Sequence, residues 1–212
     1  FDVVIIGSGF AGMACALKAG RAGLRVLMLE KMSVVGGNSA ICGGNVACPC
    51  NPVQKAQGIK DSKELFIEDC LRDGLGINHT NLLATIADRC NDTIKMVVDH
   101  MLFEGGHSVP RSYEIKAGSG SGYIRPMHAE LKKIKNVVIR TRAKFDDFIV
   151  SDDKSEVLGV TYRSGYRFNN KLVSDDLENK TGKSHTVRAK LGVMLAAGGF
   201  SRDIWFRQIQ DP

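Results

Sequence analysis

No uninterrupted apolar run among the 212 residues is long enough to cross a bilayer, which excludes a transmembrane helix. Cysteine is unpaired in pattern: Cys15, Cys42, Cys48, Cys50, Cys70 and Cys90 form neither Cys-x-x-Cys knuckles nor a Cys-x-x-Cys-His signature, which argues against a metal knuckle or covalent haem in this segment. The formal charge of +6 is scattered along the chain, and only Lys132-Lys133-Ile134-Lys135 forms a cluster, at an expected helix C-terminus where the dipole favours cations. With no basic stripe interleaved with aromatics, nucleic acid is the weaker partner, and a mild positive field suits anionic cofactors and carboxylate substrates. The chain opens almost inside its first strand and shows no signal peptide, so compartment is left open between periplasm and cytoplasm.

What the sequence does have comes first in the chain. Val3-Val4-Ile5-Ile6 runs into Gly7-Ser8-Gly9-Phe10-Ala11-Gly12, and Arg25-Val26-Leu27-Met28-Leu29-Glu30 follows at the distance a returning helix needs. This is the start of a dinucleotide-binding βαβ unit: Gly7 permits the tight turn, Gly9 lets the backbone approach a pyrophosphate, and Gly12 lets the helix pack on the strand. The helix N-terminus then faces the phosphates. Glu30, ending the second strand, is placed to accept from the ribose hydroxyls of an adenosine that carries no 2′-phosphate. Ala11, Cys15, Ala19 and Ala22 supply an expected small-residue helix face.

Further along, residues 36–45 form a glycine-rich loop whose free amides, with Asn38 and Ser39, suit a diphosphate or a flat heteroaromatic ring. Asp61-Ser62-Lys63-Glu64 marks a helix start with Leu65, Phe66, Asp69 and Cys70 at helical spacing. A second helix starts near Thr80, with Leu83, Ile86, Cys90, Ile94, Val97 and Met101 as its core stripe. Cys48-Pro49-Cys50 is the odd feature, and adjacent loop thiols without a basic partner are expected to be inert. A helix with Ile124, Met127, Leu131 and Ile134 on its buried face leads to a third parallel strand over 137–141. Two antiparallel strands, 145–150 and 156–162, turn at Asp152-Asp153-Lys154, and a polar hairpin follows over 167–184, so that the excursion spans about 143–188. The run 191–200 is expected to be a strand covered on both faces, with ligands at its carboxyl end.

These segments, in this order, resemble the FAD-binding domain of the fumarate reductase and flavocytochrome c type flavoproteins. The resemblance covers essentially the whole chain and is carried most specifically by 5–12, Glu30-Lys31 with 36–44, Gly106-His107-Ser108-Val109-Pro110-Arg111, and 195–200. It implies an α/β fold, a Rossmann-like FAD/NAD(P)-binding domain with a parallel sheet, helices and a small antiparallel excursion. It implies FAD, with the pyrophosphate on Gly7, Gly9, Phe10, Ala11 and Gly12 and the ribose on Glu30 beside Lys31. The flavin end falls near Gly37, Asn38, Ser39, Gly43 and Gly44, the adenine meets backbone at Ala143, and Ala197, Gly198 and Gly199 line the same cleft.

The activity implied is bacterial: reduction of the carbon–carbon double bond of an unsaturated acid such as fumarate, methacrylate or urocanate. The implied partners are a small anionic substrate and an electron donor left open among cytochrome, quinol-linked carrier and reduced dye. Family members continue past the equivalent of Phe200 into a mobile capping domain and return to complete the FAD domain. Residues 1–212 therefore correspond to the N-terminal part of that domain, with cap and completion absent and the 101–105 interval abbreviated. The substrate-clamping and proton-donating residues of the family fall in those absent regions, so no catalytic residue is carried over, and His107 and Arg111 are expected to be structural. The alternatives are a ketosteroid or amino-acid dehydrogenase or oxidase on the same architecture, and a nucleotide-binding module without turnover.

Overall fold

A computed structural model describes residues 1–94, 100–102, 105–115, 117–201 and 203–210. In chain order the elements are β1 (Val3–Ile6), α1 (Phe10–Arg21), β2 (Val26–Leu29), α2 (Gly37–Ile41), β3 (Val46–Ala47), α3 (Pro52–Ala56), α4 (Lys63–Asp73), α5 (Thr80–Ile94), β4 (His100–Leu102), β5 (Ser112–Glu114), α6 (Ser121–Lys133), β6 (Val137–Arg140), β7 (Ala143–Val150), β8 (Val157–Ser164), α7 (Asp175–Glu178), β9 (Lys183–Arg188), β10 (Gly192–Leu195) and α8 (Ile204–Gln210). They form two compact units, one made of Phe1–Ser39 with Ile124–Pro212 and the other of Ala40–Tyr123. Among the described residues no helix is long and apolar enough to cross a membrane.

The first unit is built on a four-stranded sheet of order β10-β1-β2-β6, parallel throughout, with Val3 opposite both Val26 and Gly192, and Val26 opposite Val137. The short runs Val-Val-Ile-Ile and Val-Leu-Met-Leu are continuous because central parallel strands are covered on both faces, and β2 is buried at every position. A second, antiparallel sheet of order β7-β8-β9 lies in the same unit. Val4, Ile6, Leu27 and Leu29 of the parallel sheet pack with Ala143, Val160, Tyr162 and Ala189 as one core. Each of its Val, Ile and Leu side chains contributes about 1.5–3 kcal/mol by leaving water.

Several sequence expectations shift here. The buried face of α1 is Gly12, Met13, Ala16, Leu17 and Gly20, not the Ala11, Cys15, Ala19 and Ala22 stripe, because the Gly7 turn sets the helix phase so that Gly12 meets the strand. The 191–200 run is not covered on both faces: among the described residues β10 stands at the edge of its sheet beside β1, and Leu195 is 59% exposed. Residues 167–184 do not form a hairpin. They hold the short α7, and Lys183 already begins β9, which pairs with β8 from Ser164 backwards. Buried Asp175 organises this loop by accepting from the Tyr166 hydroxyl, from Asn169 N at 2.8 Å and from Asn179 Nδ2 at 2.7 Å. Polar bonds therefore hold the loop, and they leave no apolar periodicity in its sequence.

The Ala40–Tyr123 unit contains α3, α4, α5 and an antiparallel sheet of order β3-β5-β4. Its centre is a buried charge cluster. Arg111, fully buried, donates from Nε at 3.0 Å and from its second amino group at 2.7 Å to the two oxygens of Asp61, and from the other amino group at 2.8 Å to Asp69. Its guanidinium lies 5.6 Å from the Phe66 ring centroid. Asp61 therefore does not cap α4. Ser62 does, accepting from Leu65 N at 3.0 Å, which frees the neighbouring carboxylate for Arg111. Helix α5 buries Ala87 and Cys90 while Ile86 is half exposed, and Met101 belongs to β4 rather than to the helix. Val97 and part of the 101–105 interval lie outside the described residues.

Burial pushes the Asp69 carboxyl up, but bonds from the Ser108 hydroxyl and amide, Arg72 and Arg111 outweigh it and hold the group at about 2. A folded-state value below the ordinary 3.8 means that this stabilisation is present above pH 4 and is lost as pH falls towards 2. Asp69→Asn should therefore cost about 3 kcal/mol at neutral pH, because it strips a partner from a buried arginine. In urea unfolding from pH 5 to pH 2 the gap to the wild type should shrink by about 2 kcal/mol; a gap constant over that window would contradict the assignment.

Candidate functional site

The sharpest geometry lies at the carboxyl ends of β1, β2 and β10. Gly7 takes φ +98°, and a Cβ there would stand 2.3 Å from the Ala196 carbonyl oxygen. A Cβ on Gly12 would stand 2.0 Å from the Gly7 carbonyl oxygen. Both contacts are far inside van der Waals range, so only glycine lets α1 leave the strand this abruptly. The turn is locked from both sides by Gly7 N donating to Leu29 O and Ala196 N donating to Ile6 O, each at 2.8 Å.

Helix α1 begins at this turn with Gly9 as its N-cap, which has no side chain to accept from the first turn, and no acidic residue stands in that turn. Unfilled N–H groups and the positive end of the helix dipole favour an anion at such a terminus. Phe10 N donates to Ser39 Oγ at 3.1 Å, so the predicted Ser39 is attached directly to the first turn. Gly9 is also close to Ser39, whose Oγ would lie 3.0 Å from a Cβ at that position. A backbone cradle of this kind, closed to any side chain, fits a diphosphate.

Glu30 is buried, and protein donors already engage it. One carboxylate oxygen accepts from the Ser8 hydroxyl at 2.5 Å and from Ser8 N at 3.2 Å, and the other accepts from Met32 N at 2.8 Å. A carboxylate offers about four acceptor positions. With three filled, one ribose hydroxyl can bind while these bonds persist, and a second requires Ser8 to yield. Ser8 is the residue that sequence reasoning missed: fully buried, it donates to Glu30 and accepts from Gly36 N at 3.0 Å, joining three segments of the site. The available signal was a hydroxyl at the variable position between Gly7 and Gly9.

The other predicted positions fall as follows. Ala11 is exposed on the first turn of α1. Lys31 lies 3.5 Å from Asp176 and faces the Phe168 ring at 5.9 Å, so it contacts the 165–182 loop. Gly37 and Asn38 are exposed in α2, a single helical turn where the sequence suggested an open loop. Ala143 is buried in the core and its N–H is given to Glu30 O at 2.9 Å, so that N–H is not free for an adenine ring. Ala197, Gly198 and Gly199 are exposed beyond β10. Gly43 and Gly44 belong to the other unit, where Gly44 is buried against Ile115 and the Ser119–Gly120 backbone. The structure thus brings together Gly7, Gly9, Phe10, Gly12, Glu30 and Ser39 within the first unit.

His107 and Arg111 are engaged by groups of the protein itself. Both aspartates occupy Arg111, and the His107 ring, 3.4 Å from Arg111 and stacked on Phe66, is held below the ordinary imidazole range by burial and then by the guanidinium charge. Among the described residues there is no group of three or more His, Cys, Asp or Glu placed to hold a metal.

Comparison with known proteins places the chain in a family. Residues 2–212 match the family described as FAD binding domain. The acrylate reductase flavoprotein subunit of Shewanella woodyi is 41% identical over 219 positions, covering 100% of this chain and 41% of that protein. The urocanate reductase of Eggerthella lenta is 32% identical, covering 100% of this chain and 34% of that protein. Among solved structures, the open conformation of a flavocytochrome c3 fumarate reductase superposes with TM-score 0.79 at 27% identity, over 94% of this chain and 34% of that one. The chain thus spans about two-fifths or less of the length of these relatives. It belongs to the FAD binding domain family.

Proposed function

We propose that this protein is an FAD-dependent reductase of the carbon–carbon double bond of a small unsaturated carboxylate. The observation that supports the reading is that relatives aligned to all of the chain, at 41% and 32% identity, are by name reductases of acrylate and urocanate. FAD, when bound and reduced, supplies a hydride to one alkene carbon, while the other carbon takes a proton.

The residues of this chain have binding and positioning roles in that scheme. The backbone at Gly7, Gly9 and Gly12, with the open first turn of α1, holds the diphosphate. Glu30 accepts from the adenosine ribose, Ser8 orients that carboxylate, and Ser39 steadies the helix start. The same carboxylate rejects a 2′-phosphate by charge repulsion, which favours FAD over 2′-phosphorylated dinucleotides. A substrate carboxylate agrees with the net positive charge, although no residue of this chain is assigned to clamp it.

Gly12→Ala should weaken FAD binding at least tenfold in a flavin-fluorescence titration, because the added methyl group must displace the Gly7 carbonyl. Glu30→Gln keeps the shape but loses the charge-assisted acceptor, and should weaken binding roughly tenfold while narrowing the preference against a 2′-phosphorylated adenosine nucleotide. Unchanged affinity in both variants would remove the site from this turn.

The activity itself is checked with the full-length protein under anaerobic conditions, using a reduced viologen dye and a panel of acrylate, methacrylate, fumarate and urocanate. Dye oxidation with at least one acid is expected. No oxidation with any of them, together with dehydrogenation of a ketosteroid or an amino acid, would overturn the reading.

A further inference from the structure

The Cys48-Pro49-Cys50 motif does not hold its two thiols together. Cys48 and Cys50 are two residues apart, but the structure separates them: Cys50 is exposed at φ +55°, whereas Cys48 is fully buried and packs with Cys90 of α5 and with Tyr113. Cys48 and Cys90 thus share one buried cluster as free thiols, and Cys90 Sγ donates to the Ala87 carbonyl oxygen at 3.7 Å. The backbone holding Cys48 is fixed, since its N–H donates to Arg111 O at 3.0 Å and its carbonyl accepts from Asn51 Nδ2 at 2.8 Å. Beside the pair, Asn91 bridges the two segments by donating to Pro49 O at 2.9 Å. Its buried Oδ1 has no hydrogen-bond partner among the described residues.

The two sulfurs differ in character. The hydrogen bond from Cys48 lowers the Cys90 thiol to about 7 against the effect of burial. The same bond, together with burial, raises Cys48. Burial and then the nearby Asp61 and Glu64 carboxylates raise Cys50. The cluster thus holds a sulfur of thiolate character beside a second buried sulfur, with 0% and 7% of the two residues exposed. Hydrogen peroxide, close to water in size and uncharged, is the class of oxidant that suits thiols so enclosed.

We propose that Cys48 and Cys90 form a peroxide-sensitive modification site that closes to a disulfide within the Ala40–Tyr123 unit while Cys50 remains a thiol. The Cys90 thiolate attacks one peroxide oxygen, the O–O bond breaks, and the leaving hydroxide takes a proton to become water, leaving a sulfenic acid on Cys90. The Cys48 sulfur then attacks the Cys90 sulfur, the S–O bond breaks, and the oxygen leaves as a second water. Two thiols have lost two electrons and two protons, and one peroxide has become two waters. The product ties the segment after β3 to α5.

The test uses the full chain treated with graded hydrogen peroxide, followed by unfolding, alkylation of the remaining thiols, proteolysis and mass spectrometry with fragmentation. A Cys48–Cys90 link that rises with peroxide and disappears with dithiothreitol is expected, together with a higher melting temperature for the oxidised protein. In Cys48→Ser, a sulfenic-acid probe should label Cys90. In Cys50→Ser, the link should form as in the wild type. A link through Cys50 or Cys42, or Cys48 and Cys90 both recovered as alkylated thiols while Cys50 is oxidised, would overturn the proposal. The mapping on the unsubstituted chain separates these outcomes whether or not either variant folds.

Discussion

The close approach of two backbone segments at Gly7 and Gly12 is the constraint on which the first unit depends. With the Gly7 carbonyl pressed against the place a Gly12 side chain would fill, α1 must leave β1 in one direction and with one phase. That phase turns Met13, Ala16, Leu17 and Gly20 inward, and Gly20 in turn approaches Val137 at the start of β6. It also sets the N-terminus of α1 at the ends of β1 and β10. The turn that permits the fold is therefore also the turn that sets out the first-turn amides of α1, the part of the chain best suited to an anion.

The two units are held in different ways. In the first, aliphatic side chains from a parallel and an antiparallel sheet share one apolar core, and polar groups matter mainly at its margin, where Glu30 and Ser8 are tied together. In the second, an arginine with no exposed surface is shared by two aspartates, with Ser108, Arg72 and Gln54 completing their bonds. Such a cluster is costly to break at any one member, because each loss strands a buried charge. It also engages three of the five Arg111 N–H donors with aspartates, in a side chain that has no exposed surface.

The legible parts of the sequence are those governed by short-range rules. Continuous apolar runs marked β1 and β2, the glycine spacing marked the turn, and Glu30 stood at the end of its strand as the βαβ unit requires. What escaped depends on partners distant in sequence. The bonds of Arg111 to Asp61 and Asp69 span 50 and 42 positions, and the Ser8–Glu30 bond spans 22. The packing of Cys48 with Cys90 likewise crosses from a loop to a helix, which the spacing of the cysteines in sequence does not reveal. The exposed edge of β10 was hidden for another reason: a run of aliphatic residues looks the same whether its faces are covered or open. The 165–182 loop was unreadable because side-chain oxygens, which have no period, organise it.

The most direct measurement is the visible absorption spectrum of the purified chain before and after addition of FAD, with the released nucleotide identified by mass. Flavin bands that shift on binding, with FAD recovered from the protein, are the result that follows from the glycine cradle and Glu30. A protein that stays colourless with excess FAD while retaining a nicotinamide dinucleotide, or that binds neither, would contradict the account.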